Sequence, residues 1–257
     1  MRNFHTHTKR CGHARGNDED YVIEAIETGI SVLGFSDHSP MVFAPENHHS
    51  SFRVPLEKAE DYVRSVNSLK EKYKDDIKIY LGYEMEYYPK FFDQTLAFHE
   101  QFGYDYLILG QHFTYNEYEK KSIHTGSKNK DLDSFDVFIE QVLTGLQTGK
   151  YLYVAHPDLY YYVGRDEDAF LKKNEYYVKE LKKLGYPVEF NLLGFYDKRN
   201  YPDKRFWEMV AKEGNDVVIG FDAHDPWVLS DMKTYHQALD YLHSLGIEPI
   251  NDKIEIK

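Results

Sequence analysis

Short apolar runs alternate with amphipathic stretches almost without a break along this chain. The runs over residues 3–7, 31–36, 77–83, 104–109, 151–155, 188–192 and 217–221 are rich in Val, Ile, Leu, Tyr and Phe. Most are continuously apolar rather than alternating, which fits strands buried on both faces, as in parallel sheets. Between them the apolar spacing turns helical, with glycines at the stops: Gly29, Gly103, Gly149, Gly185, Gly214 and Gly246. Glycine enters the left-handed conformation that closes a helix at little cost. Asn17 followed by Asp18, Glu19 and Asp20 marks one helix start, and Pro55 suits a first helical position at another. Seven β–α units in succession predict one α/β barrel domain over residues 1–257, a unit short of the common eight. The tail over 247–256 is expected to add a short strand. Two weakly patterned stretches, 41–54 and 115–130, are expected to form long loops over one face.

The residues at the strand ends change the picture from fold to chemistry. The first run closes on His5 and His7, the second on Asp37 and His38, and the third on Glu84. His112, His156 and the pair Asp222 and His224 close the fourth, fifth and last. In a barrel of parallel strands all the carboxyl ends open onto one face, where the loops build the active site. His5 and His7 share a side of an extended segment, since alternate residues do. Each residue also has a bland reading: paired surface histidines, a salt-bridging Glu84, core histidines at 112 and 156, a capping Asp222 beside an incidental His224. Those readings would all have to hold at one topological edge, so the pattern predicts a multinuclear metal site. Imidazole with carboxylate suits zinc, manganese or iron, whereas calcium and magnesium prefer oxygen ligands. Glu86 shares the parity of Glu84 but stands beyond the strand end, and is expected to be a decoy.

Composition narrows the function classes. Hydrophobic residues make up 42% of 257, enough for a sizeable core. The net charge of −12, from 31 basic against 43 acidic residues, argues against a nucleic-acid surface. No run approaches the roughly 18 apolar residues of a membrane span, and no basic-then-apolar leader opens the chain, so a cytoplasmic protein is expected. Cys11 stands alone, which excludes an intramolecular disulfide. With histidines sufficient for the metals, it is not expected to serve as ligand or nucleophile. His99, His236 and His243 fall in helical stretches and are expected at the surface or in packing. His48, His49 and His124 lie in loops from which they could reach a cleft. The tract Tyr160–Tyr162 could line a pocket or simply cover helices.

Taken together, the motifs HTHT, SDH, YEME, GQH, AHPD and DAH resemble those of the PHP (polymerase and histidinol phosphatase) superfamily. Spread over nearly the full chain, they resemble in particular its histidinol-phosphate phosphatases. The resemblance implies a distorted (β/α)7 TIM-like barrel with three divalent metal ions at the carboxyl ends of the strands. By motif, His5, His7, Glu84 and Asp222 would hold the first ion. Glu84 would bridge to a second held by His112 and His156, while His13, His38 and His224 would hold the third. Glu84 and Asp222 would thereby act as catalytic groups. Such ions would activate a water at neutral pH, so no Ser or Cys nucleophile is required, and their positive charge suits a small anionic phosphate ester.

The rest of the substrate site rests on position. Ser39 follows the second-strand histidine, and Arg165 and Arg199 fall on loops after the fifth and sixth strands, so all three are candidates to bind phosphate. Asp225 is a candidate for the leaving alcohol, Asp37 for orienting a ligand, and Asn191 for touching substrate. The implied activity is a metal-dependent phosphomonoesterase hydrolysing L-histidinol phosphate in histidine biosynthesis. Alternatives are another small phosphomonoester or nucleotide as substrate, or an amidohydrolase-like hydrolase. That last class typically has eight strands and a different bridging group, whereas Glu84 takes the bridging place here. A non-catalytic metal scaffold would need an incomplete ligand set.

Overall fold

The computed structural model describes residues 1–46 and 48–256. Strands β1 (Arg2–Asn3), β2 (Val32–His38), β3 (Lys78–Glu84) and β4 (Tyr106–Ile108) form one parallel sheet in chain order. Strands β5 (Val188–Asn191) and β6 (Val217–Gly220) pair in parallel beside it. Single parallel bridges extend the pairing from Leu109 to Val154, from Val154 to Val188 and from Thr6 to Ala223. The result is a mixed α/β fold built on a curled parallel sheet.

Strand parity decides what faces each side of the curl. Leu33, Phe35, Ile79, Leu81, Leu107, Leu109, Val188, Phe190, Val217 and Ile219 belong to a cluster that also buries the apolar faces of the helices. Those helices are α1 (Asp18–Thr28), α2 (Ala59–Lys72), α3 (Phe92–Glu100), α4 (Leu132–Gln147), α5 (Glu167–Leu184), the short α6 (Leu192–Asp197), α7 (Lys204–Glu213) and α8 (Met232–Ser244). The opposite parity carries Val32, Tyr106, Ile108, Tyr153, Ala155 and Val218, which with Phe4 and Ile254 form a second cluster free of helix residues. Strands buried on both faces explain why their sequences read as unbroken apolar runs. Tyr106 lies across the concave side and donates its hydroxyl to the carbonyls of Phe4 (2.8 Å) and Phe35 (3.1 Å). A β-carbon at Gly34 would come within 2.2 Å of that hydroxyl and one at Gly82 within 2.5 Å of the ring, so β2 and β3 both need glycine there.

Four expectations change. The first strand stops at Asn3 because its side chain takes partners a ladder would use. Asn3 Oδ1 accepts from the amides of His5 and Phe221, and Nδ2 donates to His5 O and Thr6 Oγ1. The segment 151–155 keeps ladder hydrogen bonds to Leu107, Leu109 and Pro187 but forms only the bridge at Val154. The tail is not a strand. Asn251 opens a 3-10 turn and uses its side chain on Ile219 N, Ile219 O and Arg2 O, occupying backbone groups at the strand edge. All six expected stop glycines have positive φ, and Asn17 with Asp20 forms a capping box on α1. Pro55 precedes a 3-10 turn, Leu56–Lys58, that leads into α2 rather than opening the helix itself. Among the described residues no helix is long and apolar enough to cross a membrane.

Candidate metal centre

The register of the sheet sets His38 beside Glu84, and the bridge from Thr6 to Ala223 sets the His5–His7 segment beside Asp222. Alternation then points all these side chains to the concave side. Glu84 is the hub. Its Oε2 lies 3.0 Å from His38 Nδ1, 3.5 Å from His5 Nε2 and 3.6 Å from His7 Nε2. Its Oε1 lies 2.8 Å from His156 Nε2 and 3.4 Å from His112 Nε2. Asp222 Oδ1 stands 3.0 Å from His7 Nε2 and 3.4 Å from His5 Nε2. His13 Nε2 is 3.2 Å from His38 Nε2, and the rings of His13 and His224 stack at 4.9 Å.

Nitrogen and oxygen ligands about 2.1 Å from a shared ion stand roughly 3.4 Å apart in tetrahedral geometry. The spacings of His5 and His7 to Glu84 Oε2, of His112 to Glu84 Oε1 and of His5 to Asp222 Oδ1, at 3.4–3.6 Å, match that value, while the others are hydrogen-bond distances. His5 Nε2, His7 Nε2, His38 Nδ1 and Glu84 Oε2 are also buried without a hydrogen-bond partner, which is costly unless something satisfies them. A divalent cation among them would do so. Triads with donor atoms within 4.8 Å include His5 with His7 and Asp222, His5 with Glu84 and His156, and His7 with His38 and His224. Cys11 falls near His13 and His224, but its buried thiol faces Thr8 O at 3.1 Å and burial pushes its pKa up.

An outer set of carboxylates fixes the rings. His5 Nδ1 meets Glu189 Oε1 at 2.7 Å, His112 Nδ1 meets Glu86 Oε1 at 2.9 Å, and His7 Nδ1 meets Asp37 Oδ1 at 3.4 Å. Each contact commits one nitrogen and turns the other toward the cleft. Asn191 Nδ2 donates to Glu189 Oε2 and to Asp222 Oδ2, at 3.0 and 3.1 Å, so it orients carboxylates and does not line the cavity. Glu189 also accepts from the amide of His156 at 3.0 Å. His156 (φ 30°) and Asp222 (φ 49°) both hold left-handed backbone, a strain of order 1–3 kcal/mol each that clusters at functional sites.

Charge divides the histidines. Burial alone would lower His5, yet Glu189, Asp222 and Glu84 hold it well above its ordinary pKa. His7 rises to about 9 against the same burial, through Asp222 and Asp37. His13, His38 and His224 are lowered, by burial first and then by His7, with His224 near 3. Burial would raise Glu84, but His112, His38 and His5 keep it well below the carboxylate range. The carboxylates thus favour positive charge on the His5–His7 flank, a place a divalent cation would fill, whereas burial disfavours it at His13, His38 and His224.

The cavity above this cluster has a volume of about 360 Å³ and is walled by Phe52, His124, Leu159, Leu193, Arg199 and Tyr201. All nine expected ligands converge beneath or beside it. Arg199 lines it, held by Asp197 at 2.8 Å and by Tyr201 OH at 3.2 Å. Two expected phosphate-binding groups, Ser39 and Arg165, and the expected catalytic Asp225 stand outside the cavity wall. Ser39 is fully buried and its hydroxyl is engaged by His99 Nε2 at 2.7 Å, because its parity turns it to the helix side. Arg165 is exposed on its loop, outside the cavity wall. Asp225 precedes the 3-10 turn Pro226–Ser230 and also lies outside the wall. His124 does reach the cavity, whereas His48 and His49 line a neighbouring pocket. His99 proves buried, Tyr160 packs into the core, and Glu86 stands behind the cluster on His112 Nδ1. Glu189 was not anticipated. Its signal was available: a lone acid inside the apolar run 188–192, on the same parity as Asn191.

The profile of the PHP domain family matches residues 3–192, with Asp222 and His224 beyond the matched span. The "Probable histidinol-phosphatase" of Schizosaccharomyces pombe is 27% identical over 267 residues, covering 95% of this chain and 86% of that protein. A protein of the same description from Deinococcus radiodurans is 26% identical over 238 residues, covering 86% and 85%. Among solved structures, histidinol phosphate phosphatase from Lactococcus lactis, complexed with zinc, L-histidinol and phosphate, superposes with a TM-score of 0.72. It is 20% identical, and the match covers 97% of this chain and 95% of that one.

Proposed function

The chain belongs to the PHP domain family, and from that premise we propose that it is a metal-dependent phosphomonoesterase hydrolysing L-histidinol phosphate to L-histidinol and phosphate. The observation that carries this reading is the buried, partnerless set His5 Nε2, His7 Nε2, His38 Nδ1 and Glu84 Oε2 beneath a cavity walled by an arginine. Both curated relatives described above are named for this activity. We read residues 1–257 as one catalytic domain, a distorted (β/α)7 barrel closed by the bridges at Thr6, Leu109 and Val154. We place its work in the cytoplasm, in histidine biosynthesis.

Three divalent ions, zinc, manganese or iron, would be held by His5, His7, Glu84 and Asp222, by Glu84, His112 and His156, and by His13, His38 and His224. When bound they supply activation of a water and neutralisation of phosphate charge. Arg199 is placed to donate to a phosphate oxygen from the cavity wall, a charge-assisted bond that can be bidentate. Glu189, Asp37 and Glu86 keep the ligand rings in one tautomer and orientation. Phe52, Leu159, Leu193 and Tyr201 exclude bulk water and seat the leaving group. Water adds to phosphorus, the phosphorus–oxygen bond to the alcohol breaks, and the proton passes to that alcohol.

The test is phosphate release from metal-analysed protein across a panel of phosphomonoesters. Preference for histidinol phosphate, lost on chelation, is the expected result. Chelation-sensitive release from other esters alone would reject the substrate and keep the phosphatase chemistry. Absence of release from fully metallated protein would reject both.

A further inference from the structure

Arg53 is buried to 3% exposure, in the loop just before the turn that leads into α2. Arginine is almost never buried this deeply unless paired. Its Nη1 donates to Glu86 Oε2 at 2.9 Å and to Ser39 O at 2.8 Å, and its Nε donates to Glu117 Oε1 at 2.6 Å. Its Nη2 also meets Glu117. Glu86 uses its remaining oxygen on His112 Nδ1, which leaves His112 Nε2 facing Glu84 in the cleft. An unbroken chain of hydrogen bonds therefore runs from Glu117 through Arg53 and Glu86 to His112.

We propose that Arg53 is a positioning residue for the candidate ligand His112, acting through Glu86, and that it ties both loops over the cleft to that ligand. This inference rests on the reading of His112 as a metal ligand. Arg53 belongs to the 41–54 loop and Glu117 to the 115–130 loop, so withdrawal of either loop removes a partner from the chain. Phe52, the neighbour of Arg53, packs its ring 4.5 Å from that of His38 and 4.9 Å from that of His112. The same loop thus covers the ligand and orients it. Lysine would not replace arginine here, because a point charge cannot serve two carboxylates and a carbonyl from one rigid fork.

The test is zinc titration of metal-depleted wild type, Arg53→Lys, Arg53→Gln, Glu86→Gln and the double variant Arg53→Lys/Glu86→Gln, with folding checked by circular dichroism. Loss of an outer partner of a ligand histidine typically weakens metal affinity about 10–100-fold, and that loss is expected for each single variant that folds. Because Arg53 acts through Glu86, the double variant should bind no more weakly than Glu86→Gln alone. Additive losses in the double variant would overturn the proposal. So would wild-type affinity in Glu86→Gln, which decides the case even if the Arg53→Gln chain does not fold. Wild-type protein that takes up no zinc would instead overturn the metal-centre reading on which this rests.

Discussion

A β-carbon on Gly110 would stand 1.9 Å from Glu84 Oε1 and 2.5 Å from its Cδ. The hub carboxylate therefore occupies the space that any side chain at residue 110 would need. Gly110→Ala should leave the sheet intact and displace Glu84. A shift of about 1 Å at a reacting centre can cost on the order of 100-fold in rate, and the displaced oxygen belongs to the group proposed to bridge two ions. Phosphate release and metal content should both collapse in a protein with near-normal circular dichroism. Activity within about threefold of wild type would contradict the bridging role.

Glu189 holds His5 Nδ1 at 2.7 Å and the amide of His156 at 3.0 Å, so one carboxylate orients two proposed ligands from behind. Glu189→Gln keeps the shape and removes the charge. Zinc affinity is expected to fall about 10–100-fold, as for other outer carboxylates of ligand histidines. Equilibrium dialysis of wild type against the variant reads this directly, and equal affinities would show that Glu189 serves packing alone.

The same carboxylate marks where sequence reasoning reached its edge. The proposed ligands at strand ends were legible because an imidazole at the end of an apolar run has few structural reasons to be there. Of their outer partners Asp37 was legible, whereas Glu86 and Glu189 show their place behind His112 and His5 only in the fold. Parity read strictly would have found Glu189 through Asn191 and would have turned Ser39 outward, because it is one residue out of phase with His38. The strand expected over 3–7 ends at Asn3 for another reason. A run of extended residues does not reveal that Asn3 folds its amide over the backbone of His5 and the hydroxyl of Thr6.

Arg199 and Arg165 looked equivalent in sequence and separate in space. Arg199 stands in the cavity wall beside Tyr201, whereas Arg165 is exposed outside it. A hydrogen bond to a charged group contributes about 1.5–3 kcal/mol, so Arg199→Ala should lower kcat/KM on the order of 10–100-fold, largely through KM. Arg165→Ala should leave kcat/KM within about twofold. Steady-state kinetics on the two variants side by side would detect a reversed order, which would move the phosphate site to the opposite loop.

His99 links helix α3 to the strand end through Ser39 and is held neutral by its surroundings. Burial pushes its pKa down to about 3, with Arg53 adding to the fall and the carbonyl of Pro40 opposing it. In the unfolded chain it titrates near 6.5, so below that pH the unfolded state binds a proton that the folded state refuses. Stability is then full above about pH 6.5 and declines as pH falls toward 3, by about 1.4 kcal/mol for each unit. Urea unfolding of wild type and His99→Gln at pH 7.5 and pH 5.5 isolates this contribution, because the other titrating groups are shared. Wild type should lose roughly 1.4 kcal/mol more than the variant over that interval. Parallel losses would mean that His99 accepts its proton in place, with Ser39 Oγ turning to receive it.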